Sequence, residues 1–223
     1  MNQPTDEILL PPNFLFRFGA DVKPFSGKWG KNGVTLGESF VLPNFSHLEG
    51  RTEYAQLELG WSEEGLAFHT KVTGKEKSLW CRESRLDESD GLFIWIDTRG
   101  AQNIHRASRY CHQFAFLPAG GGTLHKEPLA RWVPIHRAKE DPKMITNGEL
   151  KLVAKVTKTG YSLTGMIPSN MLTGYDPDQF SSIGFMYALV DSEKGWQTFG
   201  NGPEFPIKEN PTLWGTLNLV LDE

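Results

Sequence analysis

What this chain of 223 residues lacks narrows its reading before any motif is considered. Cysteine occurs only at 81 and 111, too few for a disulfide framework; two free thiols are expected, the alternative being that neighbouring strands bring the two together as a pair. There is no basic excess: 23 Lys+Arg stand against 27 Asp+Glu, a net charge of −4. A surface that neutralises phosphates needs the opposite sign, and nucleic acid is not an expected partner. No apolar run approaches the ~18–20 residues that cross a bilayer; the longest, such as 182–190, has strand length. Residues 1–6 lack the basic start and apolar stretch of a secretory signal, so a cytoplasmic location is the default expectation. The six histidines show no His-x-x-x-His spacing, Cys-x-x-Cys is absent, and Gly120-Gly121-Gly122 is followed by no phosphate-loop lysine. A sustained helical period is missing as well.

Aromatic residues, by contrast, make up 12% of the chain, and 14 prolines punctuate it. Short apolar runs recur between Gly, Pro, Asn and Asp clusters, an all-β pattern. In 65–73, Leu66, Phe68, Thr70 and Val72 share one face, with Ala67, His69 and Lys71 on the other. Residues 150–156 alternate likewise, and further strands are expected at 13–18, 54–60, 91–97, 110–117, 160–167, 183–190 and 214–221. Hairpin turns fall at 62–65 and 158–160, and a single helical turn at 168–172. Residues 98–109 and 118–149 read as long loops. Nine or more strands in one chain suggest a single two-sheet β-sandwich spanning 1–223, with the proline-bearing first 50 residues wrapped along its edge.

Several residues suit ligand contact. Leu92, Ile94 and Ile96 give strand 91–97 one apolar face, so Phe93 and Trp95 point to the other. That second face is either covered by a loop or offered to a ligand. His112 and Gln113 can each donate and accept hydrogen bonds, as sugar hydroxyls require; the ordinary alternative is that they satisfy loop carbonyls. Trp80 and Trp196 sit in polar, loop-like contexts, where an indole face can stack on a pyranose ring or fold beneath the loop. Trp61, Trp95 and Trp214 lie in or beside strands and are expected in the core. Asp87-Glu88-Ser89-Asp90 is either a solvated acidic turn or a set of oxygen ligands for a hard cation such as calcium.

From about Ala55 to Leu221 the ordered segments resemble family 9 carbohydrate-binding modules and the wider DOMON-like β-sandwiches. The resemblance rests on residues 59–68 as a tryptophan–acidic turn–glycine hairpin and on Asp90 to Asp97 as an aspartate-bounded strand. It also rests on Gly160-Tyr161 through Ile167-Pro168 and on the ending Trp214-Gly215-Thr216-Leu217-Asn218-Leu219. It implies a jelly-roll-like sandwich with long loops and little helix, a structural calcium in many members, and sugar held between two tryptophans. In that frame Trp196 and Trp80 are the tryptophans and His112–Gln113 the polar pair. The sequence departs from the family in carrying Phe93 and Thr164 where glutamates are expected, which removes a charged acceptor.

The expectation is therefore noncatalytic carbohydrate binding through Trp80, Phe93, Arg109, His112, Gln113 and Trp196, by aromatic stacking and polar contacts. An interaction or self-association domain using the same aromatic face is the alternative. A hydrolase drawing on His and Asp side chains in the 98–149 loops is the third reading, with no motif to mark a carboxylate pair.

Overall fold

The computed structural model describes residues 15–45, 48, 50–143 and 149–221. Its strands are β1 (Gly19–Val22), β2 (Leu57–Ser62), β3 (Gly65–Val72), β4 (Gly91–Asp97), β5 (Cys111–Gly121), β6 (Glu127–Trp132), β7 (Lys151–Thr157), β8 (Gly160–Pro168), β9 (Ser182–Asp191), β10 (Gly195–Thr198) and β11 (Gly215–Leu219). They form two sheets. One runs β1-β11-β9-β4-β5-β6, with β10 also on β9; the other runs β2-β3-β8-β7. The all-β, two-sheet expectation holds, and helix among the described residues is limited to short 3-10 turns, one at Ser169–Met171 where a helical turn is expected.

The two sheets face each other across one hydrophobic core. Phe68 of β3 meets Phe116 of β5 edge-on at 4.6 Å between ring centres. Leu92 and Ile94 are in register with Phe116 and Phe114, so they share this inner face. On the opposing sheet Leu66, Phe68, Thr70 and Val72 point inward as the alternation predicts, and all are buried. Gly165 lies opposite Phe68, and a Cβ there would sit 2.2 Å from Phe68 Cζ; the ring occupies the space that a side chain would need.

Outside this sandwich a second, smaller core of Phe25, Val34, Ala67 and Met166, flanked by Trp29, Leu36 and Phe40, lays residues 25–40 over the outer face of the four-stranded sheet. It explains why Ala67, on the face expected to be wet, is buried.

Three expectations about elements are corrected. Of the strand expected at 13–18, residues 13 and 14 lie outside the described residues and 15–18 are not strand; pairing starts at Gly19, whose partner is Thr216. Leu15 and Phe16 are exposed, whereas Phe18 stacks on Phe45. The stretch 118–149 is not a loop throughout, because β5 runs on to Gly121 and β6 follows. Pro128 hides that strand in the sequence, yet an edge strand tolerates proline. Trp196 stands on strand β10 and not on a loop: the tight turn after Asp191, with Gly195 at φ +84°, folds the chain back on β9.

Candidate functional site

The inner-face assignment fixes where the candidate residues go. Gly91, Phe93, Trp95 and Asp97 point away from the second sheet. Phe93 is 2% exposed and Trp95 fully buried. Ala107, Ile135 and Ile207, from the loops that follow β4, β6 and β10, are buried in the same cluster. The three loops meet at a groove of about 510 Å³ lined by His105, Arg106, Arg137, Pro206, Glu209 and Asn210. Of the two alternatives for this aromatic face, the structure takes the covered one. Phe93 presents no surface to a ligand or to a second chain.

His112 and Gln113, expected to act together, lie on opposite faces of β5 because neighbouring strand residues alternate. Gln113 is 5% exposed, and its main-chain carbonyl accepts from the Val133 amide at 2.9 Å. His112, in register with Ile96, is 1% exposed, and its ring lies parallel to Phe114 at 6.1 Å. Burial pushes the imidazole down to about 4, opposed by the Thr173 main chain.

Trp80 and Trp196 are brought to the same end of the sandwich. Trp80 N donates to Asp90 Oδ2 (3.0 Å), and Ser192 N, in the turn before β10, donates to Asp90 Oδ1 (2.6 Å). Both indoles are half-buried. Lys208 Nζ lies 5.0 Å over the Trp196 ring and pairs with Asp87 Oδ2 at 3.1 Å, so that an ammonium held by a carboxylate stands over one face of the indole. Nothing in the sequence links Asp87, Trp196 and Lys208, which come from three separate segments.

The turn carrying Trp196 is held from below by a buried ion triad. Lys75, 3% exposed, reaches Asp191 Oδ2 at 2.6 Å and Asp90 Oδ2 at 3.2 Å. Asp191 Oδ1 accepts from the amides of Glu193 and Lys194, and the Glu193 carboxylate accepts from those of Glu76 and Lys77. Burial raises the Asp191 carboxyl, but Lys75 and those amides more than offset it and hold it below its ordinary value. For Lys75, burial lowers the ammonium and the two carboxylates more than offset it, leaving it raised.

This arrangement bears on calcium. Asp90 is spent on Lys75, Trp80 and Ser192, while Asp87 pairs with Lys208 and Glu88 with Arg85. The carboxylates of 87–90 turn to separate partners, and no group of three or more His, Cys, Asp or Glu side chains that could hold a metal is present among the described residues. Cys81 and Cys111 are both buried and free.

Arg109 stands apart from the tryptophans. It precedes β5, at the Asp97 end of β4, whereas Trp196 is in register with Val190, itself opposite Gly91 at the other end. Seven strand residues separate the two ends, about 20 Å. A single sugar ring cannot touch both.

No protein-family model matches the chain, and no curated protein matches it significantly. Solved structures do. A family 9 carbohydrate-binding module from Caldicellulosiruptor kristjanssonii, in complex with cellotriose, superposes with a TM-score of 0.61 at 15% identity over 92% of this chain and 95% of that one. A structure of a family 9 module from the same organism in complex with glucose gives 0.62 at 14% identity, covering 92% and 97%. A Bacteroides uniformis protein gives 0.54 at 13%, covering 92% and 100%. At these identities the likeness is one of fold.

Proposed function

We propose that the chain is a noncatalytic carbohydrate-binding domain whose ligand stacks at the Trp80–Trp196 end. One observation carries the reading: the half-buried Trp196 indole, with Lys208 over one face and Asp87 paired to it, stands on β10 next to a turn fixed from beneath by Lys75, Asp90 and Asp191. An aromatic face meets the C–H side of a pyranose, while the ammonium and carboxylate meet its hydroxyls. The rigid turn reduces the ordering cost that binding incurs. The fold shared with modules that hold glucose and cellotriose supports this reading. Phe93, Gln113 and His112 serve it from below the surface by packing the scaffold.

A self-association domain using the Phe93–Trp95 face would need the three loops over it to lift. Two carboxylates that do converge, Asp90 and Asp191, share a buried ammonium and are sealed from water, an arrangement that holds a turn and not one that activates a nucleophile.

Intrinsic tryptophan fluorescence titrated with a panel of neutral mono- and oligosaccharides tests the proposal. Trp196→Ala should weaken the saturable response about tenfold or more and leave the melting temperature nearly unchanged, since the side chain is half-exposed. A flat response from folded wild-type protein across the panel would sink the reading.

A further inference from the structure

At the end of the sandwich opposite Trp196, two guanidinium groups converge on one phenol. The Arg99 guanidinium carbon lies 4.0 Å from the Phe180 ring centre and 4.9 Å from that of Tyr110. Arg109 lies 5.2 Å from the Tyr110 ring centre, and its Nη2 donates to the Tyr110 hydroxyl at 3.3 Å. The chain is shaped to permit this. Gly174, at φ +78°, would carry a Cβ 2.9 Å from the Tyr110 ring and 3.1 Å from Arg99 Nη2, so only glycine lets that turn close on the pair. Thr98 Oγ1 ties the same turn down by donating to the Thr173 carbonyl at 2.7 Å.

The cations are weakly neutralised. Among the described residues Arg99 has no ion pair with a carboxylate. Asp97, two residues before it, turns its oxygens to the amides of Arg99 and Ala101. Arg109 has only Glu140 at 3.8 Å, across exposed surface. Arg106 and Arg137 line a neighbouring loop groove together with Glu209, where Arg106 Nε donates to the Arg137 carbonyl at 2.9 Å. Arg99 and Arg109 bring two cations to one phenol in a protein whose net charge is −4. A guanidinium stacked against rings, as Arg99 is on Phe180 and Tyr110, keeps N–H edges for planar recognition of oxyanions, and Arg109 exchanges its long contacts to Tyr110 and Glu140 for the same group. Arg109 and Arg99 also hold the Tyr110 phenol below its ordinary value, as two nearby cations should.

We propose that Arg99, Tyr110 and Arg109 form an oxyanion subsite that takes the carboxylate or sulfate of an acidic oligosaccharide. The saccharide part rests on the carbohydrate reading above; the oxyanion contact does not.

The test is calorimetric titration of the wild type, Arg99→Gln and Arg109→Gln, at constant ionic strength, with four probes. These are an oligogalacturonide, a sulfated oligosaccharide, a neutral cello-oligosaccharide of matched length, and inorganic sulfate. The expected result is about tenfold or more tighter binding of a charged oligosaccharide than of the neutral one, with that preference largely lost in Arg109→Gln. Arg109 is exposed, so this variant stays folded even if Arg99→Gln loosens the ring stack. Whichever charged probe binds tighter separates carboxylate from sulfate. Equal affinity for charged and neutral oligosaccharides overturns the subsite and leaves the carbohydrate reading standing. Sulfate binding that Arg109→Gln abolishes, with no response to any oligosaccharide, keeps the subsite and removes the saccharide from it.

Discussion

His112 shows how a single residue can change meaning between sequence and structure. Beside Gln113 in a strand it looks like one half of a polar pair; in the sandwich it is a neutral core side chain stacked on Phe114. Its folded-state value of about 4 against an ordinary 6.5 makes it acid-sensitive. The unfolded chain takes up a proton below pH 6.5 that the folded chain refuses until about 4, so stability falls with pH across that window. The slope should reach about 1.4 kcal/mol per pH unit and be absent above pH 7. His112→Phe, which keeps a ring on Phe114 without a titratable group, should flatten the dependence of melting temperature on pH between 6.5 and 4.5. An unflattened curve in that variant would assign the acid sensitivity elsewhere.

Among the elements, the β9–β10 hairpin depends most on one distant side chain. Lys75 looks like part of a solvated charge run in Gly74-Lys75-Glu76-Lys77, and no periodicity marks it for burial. Only the fold reveals that it lies between two aspartates. Removing one member of such a group leaves uncompensated buried charge, so Lys75→Met should cost about 3–5 kcal/mol in urea unfolding. The sign with pH follows from the shifts. The raised lysine contributes fully below its ordinary 10.5 and is lost as pH climbs through its folded value; the lowered Asp191 contributes above 3.8 and is lost as pH falls below it. Between these limits the contribution of the Lys75–Asp191 pair is pH-independent in the wild type. In Lys75→Met the Asp191 carboxylate keeps its burial and loses the lysine, so it gains from protonation, and the gap in melting temperature to wild type should narrow from pH 7 to 5. A constant gap would argue that the triad is not charged as described.

The elements also show what a sequence can disclose. β4 is legible as a strand because Leu92, Ile94 and Ile96 alternate with equally apolar neighbours; the sequence leaves its second face either covered or offered to a ligand, and the structure buries it. β3 and β8 are legible for the same kind of reason, each with a glycine-bearing turn. β6 is not, since Pro128 and a charged, half-exposed edge imitate a loop, and β1 is not, since four residues pair only because β11 arrives beside them. The candidate site divides likewise. Trp80 and Trp196 can be picked out as tryptophans in polar surroundings. Asp87, Lys208 and Arg99 gain meaning only from segments far away in the chain.

For the molecule as a whole, the seven-stranded sheet carries both ends of the function proposed here, with the tryptophans at one end of β4 and the arginines at the other. Its integrity depends on β11, which pairs with both β9 and β1. A chain ending at residue 213 should lose cooperative unfolding and near-ultraviolet dichroism together, because part of one edge of β9 is stripped and β1 has no partner. Retained cooperativity in that fragment would show that the sandwich closes without its last strand.

The β1–β11 pairing has a further consequence, in time. Asp21 and Asn218, bonded across those strands, are 197 residues apart. At ribosomal speed that separation lasts about 10–40 s. During synthesis β1 emerges with its hydrogen-bonding edge vacant and its partner among the described strands still untranslated, so a nascent chain of this protein needs that edge shielded until β11 has emerged.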